Sequence, residues 1–372
     1  MIKIAVIGST GSIGTQALDV VRISNGELKV VSLSAGFNAT LLENQIKEFK
    51  PEIATLESGI IRTGGVKTFC GENAFLNAIT EDCDVVLIAL SGFKAYYAIE
   101  KAIELKKDIA LANKEAIVSA GEILIKKARE NGVDIYPVDS EHSAVYQCLK
   151  CGKEVDKIIL TASGGSLRDY TPEMLSGVTA KEVLNHPTWV MGKKITVDSA
   201  TMLNKGFEVI EAMRLFNCGY DDVKVVIHKD SIVHSMVAFK DGAVIAQMGK
   251  PSMKVPLSYA LYRGKRVETG VDKLDFNGLV LDFKEVEKGK YPLFDLSLEV
   301  AKLGGLYPAM LVGADEVAVE RFLKGEIKFT DVYKAVKYAL EKGEKETDGL
   351  PVTKDNVLFA DSTARKFARE YK

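Results

Sequence analysis

From the N-terminus to Asp139 the chain alternates short apolar runs with stretches whose apolar positions recur every three or four residues. Residues 3–7, 29–34, 85–90, 109–112 and 133–138 have the apolar character of buried strands, and 15–23, 41–49, 96–106 and 122–130 the one-sided pattern of helices. Strand and helix taken in turn predict a parallel sheet covered by helices.

After Asp139 the texture changes. A short strand at 158–161 leads into Ser163-Gly164-Gly165, 194–197 reads as another strand, and 199–216 as one long helix. Strands at 223–227, 235–239 and 243–248 point to a mixed or antiparallel sheet, the last two joined at Asp241-Gly242. No strong period survives over 274–298, which reads as a linker or crossing segment. Beyond it, 315–323 and 332–341 are helical, and the chain ends in a charged tail. The predicted class is α/β, with a parallel-sheet domain first, an α+β domain in the middle and a helical domain last.

A length of 372 residues predicts two or three domains. Lys plus Arg total 49 against 51 for Asp plus Glu, so no basic excess exists to hold a nucleic acid or an anionic membrane, and any anion site must be local. No apolar run approaches the ~20 residues of a membrane span, and MIKIAVIGST lacks the look of an export signal. Five cysteines at scattered spacing suit a reducing compartment, so a cytoplasmic location is expected. Cys148 and Cys151 form a lone CxxC in a helical stretch, better explained as helix-face thiols than as a zinc or redox motif.

Gly8-Ser9-Thr10-Gly11-Ser12-Ile13-Gly14 lies between the first strand and the first helix. Glycines there allow a tight turn and close approach to a pyrophosphate, which the helix N-terminus can bind. In this context the loop predicts a Rossmann-like dinucleotide site. After the second strand, Ser34-Ala35-Gly36-Phe37-Asn38 carries no carboxylate for a ribose 2′-hydroxyl, and Thr10 and Ser12 can donate to a phosphate. That leans towards NADP, although no Arg or Lys stands ready for the 2′-phosphate.

Asp139-Ser140-Glu141-His142 follows a strand. If it continues extended, Asp139 and Glu141 point the same way and can share one hard cation such as Mg²⁺ or Mn²⁺. An equal reading makes Asp139 or Ser140 only the cap of a helix beginning near Ser143. Further on, Asp198 or Ser199 can cap a helix on which Asn204, Lys205 and Glu208 share one face. Met202, Leu203, Phe207, Val209 and Ile210 mark that helix as buried, so its polar face suits a metal carboxylate with phosphate or hydroxyl binders better than a solvated stripe. Ser163-Gly164-Gly165-Ser166 is a candidate anion nest or a plain turn. His186-Pro187-Thr188-Trp189-Val190-Met191-Gly192, with the single Trp of the chain, is a candidate lid or a buried connection. His228 and His234 sit in strand-like runs and read as structural.

TGSIG, LANKE (111–115), VDSEH, SGG, HPTW with MG, VDSATMLNKGFE, IHKDSIVHSMV and GADEVAV occur in this order, and the set resembles the 1-deoxy-D-xylulose 5-phosphate reductoisomerase family over essentially the whole chain. The resemblance implies an NADPH-binding domain at 1–139, a catalytic and dimerisation domain at 140–273, a linker at 274–298 and a helical domain at 299–372, in a homodimer. It implies Asp139, Glu141 and Glu208 as ligands of Mg²⁺, Mn²⁺ or Co²⁺, and these with Lys114 as the catalytic set. Glu141 and Glu208 would also touch substrate. Ser163, Ser199, Asn204 and Lys205 would hold the substrate phosphate with His186 closing over it. Ser140 and Lys114 would meet the hydroxyl-bearing end, with Trp189 and Met191 in the lid. Gly8, Thr10, Gly11, Ser12, Ile13, Gly36, Asn38, Asn113, Lys114, Glu115 and Gly192 would contact the dinucleotide. The implied reaction is a metal-assisted retro-aldol cleavage and recombination. NADPH then reduces the aldehyde to 2-C-methyl-D-erythritol 4-phosphate, in non-mevalonate isoprenoid precursor biosynthesis. No general base is evident. Phe37 stands where many relatives carry a basic residue, and Ala89-Leu90-Ser91-Gly92-Phe93 also departs from the family pattern.

Two other classes compete. A semialdehyde dehydrogenase opens with a similar loop but needs an activated thiolate, for which no cysteine is well set. A non-catalytic redox or sugar-phosphate sensor would need a recognition module, and no basic helix offers one.

Overall fold

A computed structural model of the chain describes residues 1–189 and 191–372. It divides into two compact units, one made of Met1–Ala116, Leu124–Lys150 and Ser252–Leu274, the other of Ile117–Ile123, Cys151–Pro251 and Asp275–Lys372.

The first unit follows the predicted alternation. β1 (Ile2–Ile7), α1 (Ser12–Arg22), β2 (Leu28–Ala35), α2 (Ala39–Phe49), β3 (Ile53–Leu56), β4 (Lys67–Cys70), β5 (Val85–Ile88), α3 (Ala95–Glu104), β6 (Asp108–Leu111), α4 (Glu115–Glu130), β7 (Ile135–Pro137) and α5 (Ser140–Cys148) succeed one another. Among the described residues the sheet has seven strands in the order β4-β3-β2-β1-β5-β6-β7, and every pairing is parallel. Val85, Val86, Leu87 and Ile88 of β5 are fully buried, as a strand covered on both faces must be. The chain runs outward from β1 through β2 to β4, then returns to place β5 on the other side. β1 therefore marks the switch point at which a crevice opens beyond the carboxyl ends of the strands.

The chain continues through β8 (Val155–Ala162), α6 (Pro172–Leu175), α7 (Ala180–Val183), α8 (Lys193–Ala200), α9 (Leu203–Phe216), β9 (Val223–Ile227), β10 (Val233–Phe239), β11 (Val244–Met248), α10 (Lys254–Leu261), β12 (Lys284–Glu285), α11 (Pro292–Leu303), α12 (Tyr307–Leu323), α13 (Phe329–Thr347) and α14 (Lys354–Glu370). α10 belongs to the first unit, where Leu257, Ala260 and Leu261 join the core with Leu18 and Val20 of α1. In the second unit a mixed sheet runs β11-β10-β8-β9-β12, parallel only at β8–β9. The last three helices pack together, with Arg365 of α14 bonding Asp361 at 2.6 Å and Glu316 of α12 at 2.6 Å. Among the described residues no helix is long and apolar enough to cross a membrane.

Three local expectations change. Residues 194–197 are helical, inside α8, and not a strand. The long helix expected over 199–216 is two helices separated by Met202, whose φ of 60° reverses the chain, so neither Asp198 nor Ser199 caps α9. The aperiodic stretch expected over 274–298 already contains the first half of α11.

Candidate active site

In the first unit the functional candidates follow the carboxyl ends of parallel strands. Gly8 and Ser9 both donate backbone N–H groups to Ser34 O, at 2.9 and 2.7 Å, which draws the glycine loop against the end of β2. Gly8 has φ 96°, and a β-carbon there would lie 2.4 Å from Ala89 O, so both conformation and space demand glycine. Gly11 is the N-cap of α1 and no acidic residue occupies the first turn, while Thr10, Gly11, Ser12 and Ile13 all keep some exposure. That leaves a helix N-terminus suited to an anion. Beyond β2, Gly36 leads to Phe37, which is 87% exposed, and Asn38 caps α2 by accepting from Leu41 N at 3.1 Å.

After β6, Asn113 is nearly buried. Its amide donates to Leu90 O at 3.0 Å, Gly92 O at 3.1 Å and Glu115 Oε2 at 2.7 Å, and its oxygen accepts from Ala116 N at 2.9 Å. This side chain therefore ties the loops after β5 and β6 together. The next residue, Lys114, reaches Asp139 Oδ2 at 2.8 Å across from β7. Asp139 is the N-cap of α5 but makes no side-chain capping bond, and the helix starts at Ser140 rather than near Ser143. The capping explanation for Asp139 thus fails. So does the extended geometry, since Glu141 lies in the first helical turn and Ser140 Oγ donates to Glu141 Oε2. The carboxylates keep partial exposure, and Lys114 is nearly buried beside them.

The second unit holds the other cluster. On α9, Asn204 Nδ2 donates to Glu208 Oε1 at 2.5 Å and Lys205 pairs with Glu208 Oε2. Glu208 has no exposed surface and Lys205 only 4%. A buried carboxylate of this kind must carry a cationic partner. The predicted shared face of Asn204, Lys205 and Glu208 is realised.

Ser163-Gly164-Gly165 follows β8, and Gly165 has φ 74°. A β-carbon on it would lie 2.3 Å from Ser199 O, so the loop presses on the end of α8 that carries Ser199. Gly165 N donates to Ser163 Oγ at 3.2 Å, and His186 Nε2 stands 3.2 Å from the same hydroxyl. His186 Nδ1 accepts from Thr188 N at 3.1 Å and from Trp189 N at 3.0 Å, so the ring proton must sit on Nε2 and point at Ser163. Burial, then the charge of Arg168, pushes His186 below its usual range, which keeps that neutral tautomer. Trp189 lies 6.4 Å from the His234 ring, centre to centre, and Met191 is half-buried before Gly192, the N-cap of α8. Val190, in the segment expected to form a lid, lies outside the described residues.

Two residues went unnoticed in the sequence. Arg168 Nη1 donates to Ser163 O at 3.1 Å and Lys229 O at 3.2 Å, and Tyr291 Oη donates to Gly164 O at 3.1 Å. Both hold the glycine loop from behind. A lone Arg after the loop was a faint signal; Tyr291 gave none.

Three family models match the chain: 1-deoxy-D-xylulose 5-phosphate reductoisomerase over 4–121, and two C-terminal domain models of the same family over 135–216 and 248–367. The protein of that name from Bacillus cereus is 42% identical over 100% of this chain and 98% of its own length, and that from Moorella thermoacetica 43% over 98% and 97%. The chain belongs to the 1-deoxy-D-xylulose 5-phosphate reductoisomerase family. A crystal structure of a DOX-P reductoisomerase in complex with NADPH, fosmidomycin and magnesium superposes with TM-score 0.94 at 33% identity, covering 100% of this chain and 98% of that one. The Zymomonas mobilis enzyme in complex with NADPH gives 0.91 at 34% identity, over 99% and 98%. Cys83 and Cys218 are poorly set as the thiolate of a dehydrogenase, since burial pushes both thiols up, Cys218 to about 11.

Proposed function

We propose that this chain converts 1-deoxy-D-xylulose 5-phosphate to 2-C-methyl-D-erythritol 4-phosphate by metal-dependent rearrangement and NADPH-dependent reduction, in non-mevalonate isoprenoid precursor biosynthesis. The observation that carries the proposal is a full-length family match joined to two clusters of carboxylate and lysine at the positions the family motifs supply.

The donor chemistry fits the metal. Asp139, Glu141 and Glu208 offer only carboxylate oxygens, a set suited to Mg²⁺ and open to Mn²⁺ or Co²⁺. A divalent cation held by them would stabilise charge developing on substrate oxygens. The loop after β1 likewise fits a dinucleotide, for Gly8 and Gly14 have no room for side chains and its helix N-terminus is clear of acidic groups. We assign Gly8, Thr10, Gly11, Ser12, Ile13, Gly36, Asn38, Asn113, Lys114, Glu115 and Gly192 to NADPH, which supplies the hydride.

The remaining roles belong to the chain. Ser163, Ser199, Asn204 and Lys205 grip the phosphate, and His186, Trp189 and Met191 close over it and exclude water. Lys114 and Ser140 orient the hydroxyl-bearing end, and Lys114 also places its ammonium beside Asp139. Binding energy taken at the phosphate orders the reacting end, so losing it costs turnover as well as affinity. By segment, 1–139 serves the nucleotide, 140–273 catalysis and dimerisation, 274–298 as linker, and 299–372 as a helical domain. A homodimer working in the cytoplasm, without nucleic-acid or membrane partners, accords with the family resemblance and the balanced charge.

Glu208→Gln tests the ligand assignment. It should remove metal-dependent turnover, followed by the absorbance of reduced nicotinamide, while NADPH still binds in a fluorescence titration. A fully active variant would take Glu208 out of the metal site.

A further inference from the structure

Within the second unit one ammonium joins three helices. Lys194 stands in the first turn of α8, directly after the segment that carries Trp189 and Met191. Its Nζ lies 2.6 Å from Asp198 Oδ2 one turn along the same helix, and 2.7 Å from Asp315 Oδ2 on α12. It also stands 5.0 Å from the centre of the Phe207 ring on α9, within range of a cation–π contact. The Asp315 side chain has no exposed surface and that of Asp198 only 3%, against 29% for Lys194.

Two buried carboxylates on one ammonium are a poor way to gain stability. Desolvation of the charges offsets most of their attraction, and an apolar cluster of equal volume commonly does as well. What such a cluster does impose is direction, because the ammonium must meet both carboxylates at once. Here it fixes the roll and the advance of α8 against α12.

The far end of that helix matters for the site. Ser199 follows Asp198, and its carbonyl is the atom on which Gly165 presses. Met202 then reverses the chain and starts α9, bringing Asn204, Lys205 and Glu208. Phe207, beneath the Lys194 ammonium, is the immediate neighbour of Glu208. A shift of α8 is thus passed to Ser199, to the glycine loop and to the polar face of α9 together.

We infer that Lys194, clamped between Asp198 and Asp315, is a positioning residue that sets the site's grip on the phosphate end of the substrate. The inference rests on the reaction proposed above.

The test uses full-length Asp315→Asn, which keeps side-chain volume, and Lys194→Met, which removes the charge. Steady-state kinetics give KM for the sugar phosphate and for NADPH. Calorimetric titration of 1-deoxy-D-xylulose 5-phosphate into Mg²⁺- and NADP⁺-loaded protein gives its Kd without turnover. Asp315→Asn should raise KM and Kd for the sugar phosphate about fivefold and Lys194→Met by about tenfold or more, with KM for NADPH unchanged. Should Lys194→Met fail to fold, Asp315→Asn decides alone. Folded Asp315→Asn with an unaltered Kd and KM, however low its melting temperature, overturns the inference, for that is what a merely structural cluster gives. An unsubstituted protein that binds the sugar phosphate without converting it refutes the reaction instead, and the Kd ratios still judge the clamp. One that does not bind it at all overturns both.

Discussion

Gly206 lies between Lys205 and Phe207 on α9, against Ser297 of α11. A β-carbon at Gly206 would sit 1.8 Å from Ser297 Oγ and 2.5 Å from Ser297 Cβ. The hydroxyl can rotate away, at the loss of its 2.6 Å bond to Phe294 O, but the Ser297 β-carbon is fixed by the backbone. Gly206→Ala must therefore move the helices apart. Overpacking of this kind costs about 1–3 kcal/mol, and two overlaps on a fully buried neighbour argue for the upper end. Against it stands the helix propensity of Ala over Gly, about 1 kcal/mol. The net loss of about 2 kcal/mol lowers Tm by ~4–8 °C for a unit of this size. Because Asn204, Lys205 and Glu208 ride on the displaced helix, kcat/KM should fall by about tenfold or more. Circular dichroism melts and initial rates read the two effects, and Ser297→Gly added to Gly206→Ala should recover part of both. A single variant with unaltered Tm and unaltered kcat/KM refutes the close packing of α9 on α11.

The pH dependence follows from His186. Its folded pKa lies below the ordinary 6.5, so the folded protein binds fewer protons than the unfolded chain as pH falls below that value. The ordering it contributes is whole above pH 6.5 and is lost progressively below it, so KM for the sugar phosphate should rise in acid. His186→Asn keeps an acceptor near Nδ1 without titrating and should flatten that rise; an equally steep profile in the variant removes His186 as its source. On the cofactor side, Phe37→Arg puts a guanidinium where the 2′-phosphate of NADPH is expected. It should lower KM for NADPH several-fold and leave that for NADH unchanged, and equal effects on both would show that this position does not read the phosphate.

The parallel sheet was legible because β5 is apolar throughout, and β1, β2 and β6 carry buried apolar residues beside Lys3, Lys29, Ser32, Ser34 and Asp108. β4, an edge strand of the exposed residues Lys67, Thr68 and Cys70 with Phe69 half-buried, has no such pattern, and the apolar residues of β3 are split by Thr55. Ile195-Thr196-Val197 reads as a strand because β-branched residues favour one. It is helical because Thr196 Oγ bonds Gly192 O at 2.8 Å and Lys194 pairs with Asp198 a turn away, while Val197 enters the core. The left-handed Met202 could not be anticipated, since long side chains rarely adopt positive φ. Site residues were legible where function forces unusual chemistry onto an apolar background, as with Lys205 and Glu208 on α9. The pairings of Arg168 with Lys229, Tyr291 with Gly164 and Lys194 with Asp315 were hidden, because each partner comes from another stretch of chain and local spacing carries no record of it.

The central claim is tested most directly by following NADPH oxidation with 1-deoxy-D-xylulose 5-phosphate, with Mg²⁺ and again with EDTA. Oxidation should depend on both the sugar phosphate and the metal, with 2-C-methyl-D-erythritol 4-phosphate as product. Folded protein that oxidises no NADPH with Mg²⁺ present, or does so equally well in EDTA, would contradict it.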